Sequence, residues 1–322
     1  MDWETLYGPN RHCRGYGKPF SPGYVVKHGT SRGQPRAWCN VCEARVVLSD
    51  GTAYDGLEAD PASFETAVRA LAEGHALRAA ARLVQVDKDP VCAWLHRVAC
   101  HCRTVMLSFW HDLHVRACPL DALWSFVPTQ EAHLPGAKID GESSGDAWVW
   151  IACAPVWRLV LACVIGTRDQ AGADVLLARV AQVTDDSMPL CTSDQLPAYR
   201  HALLHTYGAW YQPPRQGSRG AYPQPRRRPP PSLRSAQVVK RRAGRHLVAV
   251  STRVVFGTPE AVAASLAHSP VSWTVHTSLV ARDNLTQRQS HRRFTRRTHG
   301  CSKDLTWFET HLWLSLAYDH LV

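Results

Sequence analysis

LDALWSFV at residues 120–127, followed by AWVWIACAPVWRLVLACVIGTRDQAGADVLLARVAQVTDDSMPLCTSDQLPAYRHALLHTYG at 147–208, decides the fold. Leu120 to Val127, Ala147 to Ala154 and Leu159 to Ile165 are apolar, β-branched and aromatic runs of strand length. Ala171 to Val183 has helical periodicity. MPLCTSD is a short apolar strand ending at Asp194, and Pro197 to Tyr207 reads as a helix. The order strand–strand–strand–helix–strand–helix is the signature of an α/β domain.

Working outward, composition divides the rest. Residues 1–58 are rich in Gly, Pro, Cys and basic residues, with little helical periodicity. Residues 59–116 are helical: PASFETAVRALAEG, HALRAAARLV and DKDPVCAWLHRVACHCRTVM. The segment from 212 to 233, QPPRQGSRGAYPQPRRRPPPSL, interrupts the α/β region. Proline at this density removes backbone donors and forbids both helix and central strand, so an extended or flexible insertion is expected. Its Arg226, Arg227 and Arg228 suit phosphate, and equally a solvated linker. Ala236 to Phe256 resumes β-like alternation, and Thr258 to Leu266 reads as a helix with a Thr-Pro start. A very basic helix is expected from Val280 to about Arg297, and an apolar one from Leu305 to Leu321.

Lys plus Arg number 37 against 27 Asp plus Glu, a formal charge of +10, which favours a polyanionic partner. Hydrophobic content of 45% excludes wholesale disorder. The most apolar window, Ala147 to Gly166, is broken by Pro155 and Arg158, so it reads as paired strands and not as a membrane span. MDWETLYGPN lacks a basic segment followed by an apolar core, so a cytoplasmic location is expected. Eleven cysteines, many in apolar contexts such as Cys153 and Cys163, fit reduced core thiols better than a disulfide framework.

Cys13 and the pair Cys39 and Cys42 form a candidate zinc site. A Cys-x-x-Cys turn aims two thiolates at one ion, Cys13 adds a third, and His28 or His12 is the candidate fourth. Unligated thiols on a degraded ribbon are the competing reading. Phe64 to Val98 holds three helices in quick succession, with Leu71, Leu77, Ala80, Ala81, Val84 and Val91 as a shared core. Asp87 sits at an N-cap position, and Lys88, Trp94 and Arg97 lie on the helix that would read DNA. A plain structural bundle has the same pattern.

Block by block, the chain resembles bacterial insertion-sequence transposases of the insertion-sequence-one type. The resemblance rests on LDALWSFV, on WVWIACAPVWRLVLACVIGTRD at 148–169 and on TSDQLPAYRHALLHTYG at 192–208. It is extended by VVKRRAGRHLV at 238–248 and by HTSLVARDNLTQRQSHRRFTRRTHGCSKDL from His276. It implies a zinc ribbon (1–58), a helix-turn-helix (59–116) and an RNase H-like catalytic domain (117–322), a mixed sheet with flanking helices. It also implies two aspartates and a glutamate holding two Mg2+ or Mn2+ ions, because DNA cleavage and strand transfer need an activated nucleophile and a neutralised leaving oxygen. Asp121 and Asp194 match the two aspartates. The glutamate position is Ala281, which ligates no metal. Asp283 stands two residues further on, about 200° around the helix, and Glu309 lies on a different helix.

Arg282, Arg288, Arg292, Arg293, Arg296 and Arg297 follow Ala281. On one helix many would share a face suited to a DNA backbone, or to solvent alone. Double-stranded DNA (terminal inverted repeats and target) and a homodimer or higher oligomer are the implied partners, with the nucleoid as the place. A transposase, an inactive DNA-binding derivative that regulates an active copy, and a nuclease of the same fold are the functions this pattern admits.

Overall fold

A computed structural model describes residues 8, 10, 12–18, 23–31, 34–47, 49–130, 145–215, 217, 222–244, 246–296 and 298–321. The chain divides into two compact units, Met1–Arg69 with Arg78–His101, and Ala70–Leu77 with Cys102–Val322. These divisions fall inside helices, whereas the boundaries expected at 58 and 116 follow composition.

The first unit holds a three-stranded antiparallel sheet of β1 (Val25–Ser31), β2 (Gln34–Cys39) and β3 (Arg45–Val47), in the order β1-β2-β3. Its helices are α1 (Pro61–Ala72), α2 (Leu77–Leu83) and α3 (Lys88–Phe109); α1 and α3 each run on into the second unit. The start of α1 is fixed by Asp60, whose Oδ2 accepts from the Ser63 backbone N–H and hydroxyl, both at 2.9 Å. Phe64, Ala67, Val91, Trp94 and Leu95 are buried here. The rings of Phe64 and Trp94 meet edge to face at 5.8 Å.

The second unit carries the α/β elements: β4 (Ala117–Val127), β5 (Gly145–Ala154), β6 (Leu159–Gly166), α4 (Gln170–Val183), β7 (Leu190–Ser193) and α5 (Pro197–Tyr207). β8 (Ala209–Tyr211), β9 (Arg226–Arg228), β10 (Ser235–Ala243) and β11 (His246–Phe256) follow, then α6 (Pro259–Ala267), α7 (Ser278–Ser290) and α8 (Leu305–Leu321). Six strands form one mixed sheet in the order β11-β10-β7-β4-β5-β6. β4 to β6 are an antiparallel meander, β7 is parallel to β4 and β10, and β11 turns back along β10. This six-stranded mixed sheet with flanking helices is compatible with an RNase H-like fold.

Trp150 on β5 is fully buried and shows how one face is closed. Its Nε1–H donates to the Thr167 carbonyl at 3.0 Å, and its ring meets Tyr199 of α5 at 5.5 Å. α4 comes so close that a Cβ on Gly172 would stand 2.5 Å from Trp150 Nε1, so this turn admits only glycine without a shift. On the other face Val262 of α6 packs with Leu190 and Ala236. α7 lies against β4, and Ser125 donates to the Arg293 carbonyl at 3.0 Å.

One sequence expectation is corrected. The basic helix stops at Ser290, short of Arg297. His291 is extended and 1% exposed, Arg292–Phe294 form a 3-10 turn, and Phe294 is fully buried, so the turn is pinned into the core. Within the 212–233 insertion β9 is extended and pairs antiparallel with β8 in a separate two-stranded sheet. No helix among the described residues is long and apolar enough to cross a membrane.

Candidate functional site

β4 and β7 run side by side with Pro119 opposite Thr192. Two residues further along each strand, Asp121 stands level with Asp194 just beyond the end of β7, on adjacent strands about 5 Å apart. Asp121 lies within β4, which runs on to Val127, so the pair sits where the end of β7 meets the middle of β4. The two aspartates quoted from the sequence are thus brought together.

Their surroundings are specific. Asp121 accepts through Oδ1 from the Ala122 N–H at 2.8 Å and through Oδ2 from the Asn284 side-chain amide of α7 at 2.7 Å. Burial pushes the Asp121 carboxyl above the usual carboxylate range and Asp194 adds to this. The Ala122 N–H, Asn284 and Lys240 work against it. Asp194 Oδ1 accepts from the Leu196 N–H at 3.0 Å, which shapes the turn into α5. Its Oδ2 lies 3.5 Å from Arg168, whose guanidinium stacks on Trp148 at 4.5 Å. Tyr199, 1% exposed, has a hydroxyl with no hydrogen-bond partner. Burial raises its pKa far above the ordinary tyrosine value, with Asp121 and Asp194 adding to the shift. The Asn284 Oδ1 is also buried and unpartnered.

This donor set suits a divalent cation. The neighbouring Asp194 adds to the cost that burial puts on ionising Asp121, and an unsatisfied amide oxygen stands beside them. All three are hard oxygen ligands of the kind Mg2+ and Mn2+ take. Asp121, Asp194 and Asn284 are the residues that would hold it.

Ala281 is exposed on α7. Asn284 follows it by three residues and Arg288 by seven, so Arg288 points within about 20° of the Ala281 direction. Arg288 reaches the Trp124 carbonyl at 3.5 Å, which puts this side of α7 on β4 beside Asp121. The sequence missed Asn284, Tyr199, Arg168 and Lys240 as neighbours of the aspartates. Asn284 alone had a signal, its place one turn after Ala281.

The other arginines separate. Arg282, Arg292 and Arg296 are exposed, while Arg293 donates to the Ser302 hydroxyl at 3.2 Å. Arg297 lies outside the described residues. The single arginine face expected of one long helix is therefore not formed.

In the first unit, the Cys13, Cys39 and Cys42 sulfurs all lie within 4.8 Å of one another, and Cys13 and Cys39 are 3.7 Å apart. Thiolates around one tetrahedral zinc at about 2.3 Å stand roughly 3.8 Å apart, so this cluster could hold zinc. Backbone hydrogen bonding at Ala44, then the Asn10 amide, lowers the Cys42 thiol to about 7, towards the thiolate a metal needs. His28 is not among the clustered groups; on β1 it stacks on Trp38 at 5.3 Å.

On α3, Lys88 pairs with Asp89 at 2.6 Å and Arg97 donates to the Asp55 carbonyl. Trp94, expected on a reading face, is instead 7% exposed against Phe64.

No family model matches the chain, and no curated protein matches it. Among solved structures it is similar to one described as the crystal structure of the mariner Mos1 paired end complex with Mg. Identity is 13%, coverage 46% of this chain and 58% of that one, and the TM-score 0.19. The chain thus spans less than two thirds of that neighbour, and a likeness of this size carries no argument about fold or function.

Proposed function

We propose that this chain is a DNA transposase of the two-metal, three-acid kind in which the third acid is missing. It would bind double-stranded DNA at terminal inverted repeats through the second unit's arginines and the helices of the first. The observation that carries the reading is the juxtaposition of Asp121, within β4, and Asp194, just beyond the end of the neighbouring β7, with α7 lying against Asp121. The block resemblance of the sequence supports it.

Asp121 and Asp194 would bind divalent metal, which supplies Lewis-acid activation of the attacking hydroxyl and neutralises the leaving oxygen. Asn284 orients Asp121 through its amide N–H and offers Oδ1 to the metal. Arg168 holds Asp194 in place and, with Lys240 and Arg288, keeps positive charge around the carboxylates, which favours an approaching phosphodiester. An amide oxygen in place of a carboxylate leaves the site one negative charge short. That deficit costs a few kcal/mol of transition-state stabilisation, a rate about a hundred- to ten-thousand-fold lower.

A second reading, a DNA-binding regulator without catalysis, is favoured by Ala281 itself. The test compares the protein and Ala281→Glu on labelled duplexes drawn from DNA bordering its own coding region, with Mg2+ or Mn2+. Cleavage or joining that rises about a hundredfold or more in Ala281→Glu supports an impaired transposase. Inactivity of both proteins, with binding retained, establishes the regulator.

A further inference from the structure

From residue 195 to residue 259 the chain carries twelve Lys and Arg and no Asp or Glu. Within that stretch β8 and β9 form a two-stranded ribbon with Trp210 opposite Arg227 and Tyr211 opposite Arg226. Each aromatic ring here is backed by a guanidinium: Arg227 over Trp210 at 4.9 Å, Arg228 over Tyr211 at 5.7 Å and Arg215 over Tyr222 at 5.0 Å. Trp210 is nevertheless 69% exposed and Tyr222 70% exposed. Gln212 donates across the ribbon's base to the Pro223 carbonyl at 2.6 Å, and Arg227 donates to the Gly208 carbonyl at 2.9 Å. Flanking prolines at 213, 214, 223, 225 and 229–231 fix φ and stiffen it.

Two large aromatic rings left this open have a cost in water. A guanidinium stacked on a ring uses its flat face and leaves N–H groups in its plane for phosphate oxygens. The opposite ring face stays available. Alternating aromatic faces and phosphate donors are what an unpaired strand recognises, since its bases expose their faces and its backbone is anionic. A duplex hides those base faces in its stack.

We propose that the β8–β9 ribbon is a stacking platform for single-stranded DNA, with Trp210 and Tyr222 taking bases, Arg227 on the Trp210 face taking phosphate there, and Arg226 and Arg228 taking phosphates as the strand passes to the other face. α5 runs back from the Asp194 end over eleven residues, about 16 Å, before the ribbon begins. A strand seated there lies a few nucleotides from the carboxylates and does not occupy them. The choice of DNA over other polyanions rests on the proposed function; the platform itself does not.

The test measures anisotropy of fluorescein-labelled (dT)20, (rU)20 and a mixed-sequence 20-base-pair duplex, without added divalent metal, for the protein, Trp210→Ala and Trp210→Phe. Trp210→Ala should lower affinity for (dT)20 about 5- to 100-fold while leaving duplex binding within twofold, and Trp210→Phe should restore most of it. Arg228→Ala should flatten the (dT)20 salt slope by about 0.7. Equal affinity of Trp210→Ala for (dT)20, an equal loss on duplex, tighter binding of (rU)20, or self-association that disappears in Trp210→Ala would overturn the proposal. Asp121 and Asp194 are untouched and no cleavage is read, so this outcome is independent of the catalytic reading.

Discussion

At the scale of single residues, the centre of interest moves from position 281 to position 284. Ala281 is visible in the sequence as a missing acid, but Asn284 touches Asp121, and its buried Oδ1 has no partner. A cation between the carboxylates would satisfy that oxygen and relieve the repulsion that burial intensifies. Isothermal titration of Mn2+ into the protein should therefore show Asn284→Ala weakening binding about tenfold or more, and Asn284→Asp strengthening it. Identical Mn2+ affinity in wild type and Asn284→Ala, with unchanged circular dichroism, would remove Asn284 from the ligand set. Asp121 and Asp194 were legible because one lies within and the other just after an apolar strand, each in a recognisable block. Asn284 was not singled out because, among arginines and glutamines on a basic segment, one asparagine looks like solvated surface. Only the helix's rotation shows which side meets β4.

At the scale of elements, α7 and α8 meet along a seam that is more polar than either sequence suggests. Val280, Asn284, Gln287 and His291 are all buried at spacings of three and four. Gln287 bonds to Asp319 and accepts from the Ser315 hydroxyl, the latter at 2.5 Å. His291 and His311 meet at 5.2 Å, edge to face, and neither finds a partner for Nδ1. Burial lowers His291 to about 4, with Arg293 adding to the shift, and burial likewise drives His311 well below the ordinary histidine value. The sign follows. Below pH 6.5 the unfolded chain takes up protons that the folded chain refuses, so stability present above 6.5 is lost as pH falls towards 4. His291 alone should cost about 1.4 kcal/mol by pH 5.5, and His311 adds to it. Urea titrations at pH 7.5 and 5.5 should show that drop, reduced in His311→Leu; an equal drop in both proteins would place the acid sensitivity elsewhere. A histidine on a helix reads the same from sequence whether buried or exposed. That is why this seam, like the stop at Ser290, had to be seen in the packing around Phe294 and Phe308, whose rings meet at 5.1 Å.

At the scale of the whole molecule, the two units are held by different means. The second unit has a six-stranded sheet with long buried runs, among them Leu120, Leu123, Val149, Trp150 and Ile151. Alternating apolar strands and periodic helices made that layering legible from residues 120–208. The β1–β3 sheet of the first unit buries only small or single apolar groups such as Val25, Ala37 and Cys39, too little to hold three short strands by itself. The three clustered thiols add cohesion beside the His28–Trp38 stack and the Arg45 guanidinium over Trp38, and their ligand count was partly legible. The Cys-x-x-Cys turn announced two sulfurs, but the fourth ligand was left between His28 and His12, and the His28 ring instead stacks on Trp38. A metal that gathers thiolates contributes folding free energy directly, because no such site exists in the unfolded chain. Purified protein should accordingly carry about one zinc per chain, and Cys39→Ser should lose it, while His28→Ala should keep it. Limited proteolysis of Cys39→Ser should then cut within residues 23–47 and spare the β4–β7 sheet, whose core owes nothing to those sulfurs. Zinc content unchanged by Cys39→Ser, or protection of residues 23–47 in a zinc-free protein, would mean that these strands are held by packing alone and that the thiol cluster has no structural part.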